Sequence, residues 1–210
     1  MTTKIDLNRE RHAVSSAGPD PMLVDLPDLA LLMIDGRGDP NTAPDYPAAV
    51  QALYAVAYTA KFAIKRAPGG IDYVVMPLEG LWWTPDMAAF TVEDKSAWDW
   101  TMMIMAPEQV TREVFAEAAA TAGKKHPSDA ITRMRLERFA EGQAAQVMHI
   151  GPYATEGPTI GRLHAFIAER GYVRAGKHHE IYLSDPRRAA PERLKTIIRQ
   201  PVAAGWCGDH

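Results

Sequence analysis

The sequence predicts an α+β protein built from two related halves. In each half, an apolar run of strand length is followed by a helical pattern and then by two more strand patterns, so the order strand, helix, strand, strand occurs twice. Two such units side by side would form one antiparallel sheet with the helices on one face. A central ligand cleft would then lie between the halves, near their pseudo-twofold axis.

The first half extends over about residues 22–106. It opens with the continuous apolar run 29–34, a pattern typical of a buried strand. Apolar residues then recur at helical spacing over 47–66, until a Pro-Gly-Gly turn ends the helix. The β-branched and aromatic residues of 71–76 predict a second strand, and 98–105 predicts a third.

The second half, about residues 136–202, repeats this order after a helical connector. Its predicted strands and helix lie at 145–150, 158–170, 177–183 and 194–199. Aligning the halves by the order of their elements places 71–76 opposite 178–183. The polar residues 1–21 are expected to form a flexible leader, so that 22–210 make up a single domain.

Composition excludes several classes of protein. The net charge of −3 and the scattered basic residues argue against direct binding to nucleic acid. The single cysteine, Cys207, excludes an intramolecular disulfide and a multi-cysteine metal site. No apolar run reaches the roughly 18–20 residues that span a bilayer. We therefore expect a soluble, cytoplasmic protein with no membrane partner, and its oligomeric state stays open.

The segment around Glu180 is the most informative for function. Strand alternation places Glu180 and Tyr182 on one face and Ile181 and Leu183 on the other. A carboxylate on so apolar a strand either faces water or lies in a polar pocket. In a pocket with aromatic walls, desolvation would raise the pKa of Glu180 and suit it to general acid or base catalysis. Alternatively, it would stay ionised as the counter-charge of a cationic ligand.

Four of the five tryptophans fall close together in the sequence, at Trp82, Trp83, Trp98 and Trp100. The first two point to opposite faces of a strand, whereas the other two share a face. Such rings either fill a core or line a pocket for a flat or cationic ligand. Glu79 is a second carboxylate near them, either solvated or functional. The histidines lack metal-ligand spacing, so neither a metal nor another cofactor is expected.

Two segments resemble those of the GyrI-like small-molecule-binding superfamily. They are Glu180-Ile181-Tyr182-Leu183-Ser184-Asp185-Pro186 and, ahead of the second helix, His149-Ile150-Gly151-Pro152-Tyr153. The resemblance covers about residues 22–202 and implies that the glutamate of the Glu-Ile-Tyr strand, Glu180, meets cationic or aromatic ligands in the central cleft. Some members are fused to a helix-turn-helix segment of a transcription regulator, whereas this chain looks like a stand-alone member.

The tryptophan-rich segments 77–83 and 98–101 resemble a subfamily of cyclopropanoid cyclopropyl hydrolases, which detoxify DNA-alkylating natural products of the yatakemycin type. From the chemistry of that reaction we expect Glu180 and Tyr182 to be catalytic, with Glu180 orienting or deprotonating a water and Tyr182 donating or holding a hydrogen bond. The expected ligand-binding residues are Trp82, Trp83, Trp100, Tyr153, Tyr73 and Glu79. Two alternatives stay open, namely a drug-binding module that only sequesters its hydrophobic aromatic ligand and a ligand-responsive, protein-binding molecule of the gyrase-inhibitor kind.

Overall fold

The computed structural model describes residues 3–5, 12–87 and 95–205. They fall into two compact units. Unit 1 contains the described residues of Met1–Arg11 and Leu29–Phe139, and unit 2 contains those of His12–Asp28 and Ala140–His210. Cys207, singled out in the sequence, lies outside the described residues. In the described ranges no helix is both long and apolar enough to cross a membrane.

The strands are β1 (Thr3–Ile5), β2 (Met22–Leu26), β3 (Leu29–Arg37), β4 (Ile71–Tyr73), β5 (Leu78–Trp83), β6 (Asp99–Met105), β7 (Arg135–Phe139), β8 (Gly142–Ile150), β9 (Tyr172–Arg174), β10 (His178–Tyr182) and β11 (Lys195–Ala204). The α-helices are α1 (His12–Ser15), α2 (Asp45–Arg66), α3 (Arg112–Lys125), α4 (Asp129–Thr132) and α5 (Gly157–Glu169). Short 3-10 helices cover Tyr153–Thr155 and Pro191–Arg193.

Unit 1 is an antiparallel sheet with strand order β5-β6-β3-β7, and β1 pairs in parallel with β4 beside it. Helix α2 packs on β3, β4 and β6. Its buried residues recur every three or four positions, as a helix with one face on a sheet requires. They are Ala49, Ala52, Leu53, Val56, Ala57, Ala60 and Ile64.

Unit 2 is an antiparallel sheet with strand order β2-β8-β11-β10, and β9 pairs with the end of β11. Helix α5 packs on β8 and β11. The core between them consists of Ala145, Val147, Leu163, Ile167, Ile198 and Val202. The prediction of an α+β protein with an antiparallel sheet is confirmed, and each unit carries one copy of the repeated order of elements.

The strand pairing corrects the alignment of the two halves. The strand of unit 1 equivalent to β10 is β5, because β5 pairs with β6 as β10 pairs with β11. Residues 71–76 do not form that strand, since β4 ends at Tyr73 and pairs with β1. Composition alone could not reveal this, because 71–76 and 78–83 are both apolar enough for a strand.

The register of the equivalent strands matches residue by residue. In unit 2, Glu180 lies opposite Ile198, which lies opposite Val147. In unit 1, the same place in the ladder is taken by Gly80, opposite Met102. His178 therefore corresponds to Leu78, and Tyr182 corresponds to Trp82.

Strand β11 runs past the predicted end at Arg199 and includes Pro201. A proline lacks the N–H that a central strand must donate, so it is tolerated only where a ladder bond is absent. On one side of β11, the pairing with β10 covers Thr196–Arg199 and the pairing with β9 begins at Val202. Pro201 lies in the interval between these two partners, which explains why the strand continues through it.

A buried polar network lies on the face of the unit 2 sheet opposite α5. The Arg199 guanidinium, 1% exposed, donates to the Gln146 side chain at 2.8 and 3.0 Å, to Glu141 Oε2 at 3.2 Å and to the carbonyl of Val14 at 2.7 Å. His179 Nδ1 lies 2.8 Å from Glu141 Oε1. Burial alone would raise the pKa of Glu141, but the charges and hydrogen bonds of His179 and Arg199 outweigh it and lower that pKa.

Hydrogen bonds from unit 2 also hold the segment that precedes β2. Gln146 Nε2 donates to the carbonyl of Ser16 at 2.8 Å, the backbone N–H of Met148 donates to the carbonyl of Gly18 at 2.8 Å, and Arg162 donates to the carbonyl of Pro19 at 2.7 Å. Together with the bond from Arg199 to Val14, these contacts hold the carbonyls of residues 14, 16, 18 and 19 against β8, β11 and α5.

Replacing Gly36 by alanine tests the packing of unit 1. A Cβ at Gly36 would lie 2.0 Å from the Trp100 ring, and Trp100 is fully buried. Overpacking of this kind should lower the free energy of unfolding by about 1–3 kcal/mol, measured by urea denaturation. Gly161→Ala is the matched control, because a Cβ there meets open space on α5 and should stabilise by about 0.5–1 kcal/mol. Equal stability of the two variants would contradict this packing.

Replacing Glu141 by glutamine tests the buried network. The change leaves the buried Arg199 guanidinium without its counter-charge, so the free energy of unfolding should fall by about 3–5 kcal/mol. Glu137→Gln is the control, because Glu137 forms an exposed pair with Arg135 and should contribute only about 0–1 kcal/mol. A loss for Glu141→Gln no larger than that of the control would show that the network does not stabilise unit 2.

Candidate functional site

Strand alternation on β10 places His178, Glu180 and Tyr182 on one face. This face is the one under α5, because Glu180 lies opposite Ile198, a member of the core that α5 covers. His178 and Glu180 are buried and Tyr182 is half-buried. The structure therefore places Glu180 and Tyr182 on the same face of the strand, as the alternation of the sequence predicts.

Both oxygens of the Glu180 carboxylate have a partner on the same strand. The Tyr182 hydroxyl donates to Oε2 at 2.7 Å, and His178 Nε2 lies 3.1 Å from Oε1. The Glu180 residue is only 9% exposed. A buried carboxylate that accepts hydrogen bonds at both oxygens is held in one rotamer and is ready to exchange a proton with a neighbouring hydroxyl.

The loop before α5 places Tyr153 beside Tyr182. The two rings meet edge to face, with centroids 5.6 Å apart. His149 holds this loop, since its Nε2 lies 3.2 Å from the Pro152 carbonyl and its Nδ1 lies 3.0 Å from the Thr159 hydroxyl. A carbonyl can only accept, so Nε2 donates to it, and Nδ1 forms a hydrogen bond with the hydroxyl. His149 therefore orients the loop that carries Tyr153.

His164 lies on α5 itself, close enough to His178 for the charge of His178 to affect its pKa. Arg174 Nη1 lies 3.2 Å from His164 Nδ1, and because a guanidinium only donates, Nδ1 is the acceptor. Burial, followed by the charges of Arg174 and His178, lowers the pKa of His164 from 6.5 to about 4. His164 is thus neutral at neutral pH. Sequence reasoning named neither His164 nor His178 as a site residue, because their proximity depends on how the helix packs on the strand.

Among the buried polar groups without a hydrogen-bond partner in the described part of the chain are the Thr196 hydroxyl and the Trp100 indole N–H, both of fully buried residues. They occupy equivalent places in the repeats, since Thr196 lies opposite Tyr182 and Trp100 lies opposite Trp82. Buried polar groups are nearly always paired with protein or with water. Each group can therefore form a further hydrogen bond on the helix-covered face of its own sheet.

In unit 1, three tryptophans pack together beneath the start of α2. The Trp82 ring lies 5.4 Å from Trp98, and Tyr46 contacts Trp82 at 6.0 Å and Trp100 at 5.5 Å between ring centroids. Trp82, Trp98 and Trp100 are buried, so their rings form part of the unit 1 core. Trp83 is half-buried and points to the opposite face. Ligand contact by Trp82, Trp83 and Trp100 stays a prediction.

The two remaining ligand-binding predictions also fall in unit 1. Glu79 is buried and, by alternation, lies on the sheet face opposite Trp82. Tyr73 is buried at the end of β4, and burial raises its pKa to about 12, so the phenol keeps its proton at neutral pH. Both residues keep the ligand-binding role only as a prediction.

A model of the GyrI-like small molecule binding domain matches residues 19–203. An uncharacterized conserved protein from Listeria innocua has a similar structure, with 41% identity, a TM-score of 0.88 and coverage of 95% of this chain and 100% of its own. A hydrolase from Listeria innocua is also similar, with 40% identity, a TM-score of 0.85 and coverage of 96% and 100%.

The EcmrR C-terminal domain shares the fold alone, with 12% identity, a TM-score of 0.54 and coverage of 88% of this chain and 98% of that domain. No curated protein sequence matches the chain significantly. The expected family is thus confirmed, and the similarity to the Listeria innocua proteins extends over nearly the whole chain.

Replacing His164 by glutamine should alter how stability depends on pH. The folded-state pKa of about 4 lies below the unfolded value of 6.5, so the unfolded chain takes up a proton first as the pH falls. Stability should therefore decline as the pH drops from about 6.5 towards 4, and His164→Gln should decline less. Urea midpoints at about pH 7 and 5 measure this. The exposed His126→Gln is the control, and identical declines in both variants would contradict the expectation.

Proposed function

We propose that this chain, which belongs to the GyrI-like small-molecule-binding family, hydrolyses a flat, hydrophobic xenobiotic of the cyclopropanoid class by opening its strained ring. The observation that best supports a catalytic site is the buried carboxylate of Glu180, with the Tyr182 hydroxyl 2.7 Å from Oε2. The similarity to a Listeria innocua hydrolase supports a hydrolytic reaction.

The internal repeat supports a role for these residues beyond the fold. The equivalent positions of β5 hold Leu78, Gly80 and Trp82, none of which ionises, although the strand pairing is the same. The fold thus forms in unit 1 without a buried carboxylate at this place. Burying a charge is unfavourable. Its presence in β10 is therefore better explained by chemistry than by stability.

The proposed reaction adds one water molecule across a carbon–carbon bond of the cyclopropane. As the water oxygen bonds to the ring carbon, the carbon–carbon electron pair moves into the conjugated dienone, which becomes a phenol. Glu180 takes the proton of the attacking water, and Tyr182 gives its proton to the dienone oxygen. The hydrogen bond between Tyr182 and Glu180 then returns a proton to the tyrosine, so that both residues regain their starting state.

Aromatic side chains would hold the flat scaffold in place. Tyr153 is 38% exposed and lies edge to face with Tyr182, which leaves its ring available to a ligand near the carboxylate. For Trp82, Trp83, Trp100, Tyr73 and Glu79, a ligand-binding role stays an expectation from the sequence. Substitution of each of these residues would test that role separately.

A second candidate is a binding module that sequesters its ligand without turnover. The same buried carboxylate favours it, because an ionised Glu180 in an aromatic setting would attract a cationic or electron-poor ring. The two candidates differ only in whether the bound molecule reacts. Incubation of the purified protein with a cyclopropanoid and mass spectrometry of the product separates them.

The unaltered protein should convert the cyclopropanoid to a ring-opened product that is heavier by one water. Glu180→Gln should lower kcat by about 10²–10⁴-fold, because it removes the general base but keeps the shape of the side chain. Tyr182→Phe should also lower kcat. The exposed Glu169→Gln should leave it unchanged. Unchanged turnover by Glu180→Gln would remove the role given to Glu180, and binding without any product would favour the sequestering module.

A further inference from the structure

We infer that His178 is a positioning residue for Glu180, which it holds in one rotamer and in the ionised form without itself touching the substrate. This inference rests on the proposed function, in which Glu180 is the general base. His178 Nε2 lies 3.1 Å from Glu180 Oε1, while the Tyr182 hydroxyl lies 2.7 Å from the other oxygen. The carboxylate is thus fixed at both ends by its own strand.

The side chains of His178, Glu180 and Tyr182 differ in how deeply they are buried. The His178 side chain is 4% exposed and the Glu180 side chain 12% exposed, whereas Tyr182 is half-buried. Exposure therefore increases along the face from His178 to Tyr182. His178 is the most buried of the three and contacts the carboxylate at Oε1. This geometry suits a group that orients a base more than one that contacts a substrate.

The groups around His178 bear on its role as a hydrogen-bond donor. Glu180 and Tyr182 share its face of β10, and His164 approaches from α5 with Arg174 of β9 bound to the Nδ1 of that ring. His164 is neutral at neutral pH because its pKa is about 4. The acceptor that faces His178 is the Glu180 carboxylate, so the proton on Nε2 points to Oε1.

The repeat indicates that His178 is not required for folding. Leu78 occupies the equivalent position of β5, followed two residues later by Gly80 rather than by a carboxylate. A strand in this place thus tolerates leucine when there is no carboxylate to orient. His178→Leu should therefore fold. Its effects should appear in kcat and in the protonation of Glu180.

Two variants test the inference kinetically with a cyclopropanoid substrate. His178→Leu removes the donor and should lower kcat by about 10–100-fold with KM little changed, the range found for groups that orient a reactive ligand. His178→Gln places an amide N–H near the position of Nε2 and should restore most of the lost kcat. An unchanged kcat in His178→Leu, or a His178→Gln variant as impaired as His178→Leu, would overturn the inference once circular dichroism shows that both are folded.

A measurement without substrate separates the inference from the proposed function. The ¹³C resonance of the Glu180 carboxyl carbon, followed over about pH 3–8, reports where that carboxyl is protonated. The midpoint should rise in His178→Leu relative to the unaltered protein, because the ionised carboxylate loses a hydrogen-bond donor, and should return in His178→Gln. An unmoved midpoint would overturn the role of His178. A moved midpoint in a protein that opens no cyclopropane would overturn only the proposed reaction.

Discussion

Arg199 connects more segments of unit 2 than any single strand pairing does. From a buried position it donates to Glu141 ahead of β8, to Gln146 within β8 and to the carbonyl of Val14. Glu141 in turn binds His179 of β10. Strands β8, β11 and β10 and the segment before β2 are thereby held in one register. The position of Glu180, the next residue along β10, follows from that register.

The two faces of β10 therefore serve different purposes. His179 is part of the network that stabilises unit 2, while His178, Glu180 and Tyr182 form the candidate site under α5. A strand exposes alternate residues to opposite faces, so neighbours in the sequence can belong to separate polar groups. The stability of one face and the chemistry proposed for the other are coupled because both depend on the same backbone.

Within the described residues, the two units differ at the place where β10 carries the candidate site. The backbone pairing of β5 and β6 matches that of β10 and β11, yet the equivalent side chains in unit 1 are Leu78, Gly80 and Trp82. There the Trp82 and Trp100 rings fill the space with apolar area, and Gly36 leaves room for the Trp100 ring. The same scaffold thus supports an apolar core in one copy and a buried carboxylate in the other.

The sequence by itself determined the α+β class, the repeated order of elements, the family and the shared face of Glu180 and Tyr182. Each of these depends on local periodicity or on a contiguous motif, which can be read without knowing the fold. Only the tertiary structure shows that β5, not 71–76, is equivalent to β10, and that His149 and His178 lie near α5, the helix that carries His164. These facts depend on which strands pair and in what register, and such long-range contacts leave no periodic signal in the chain.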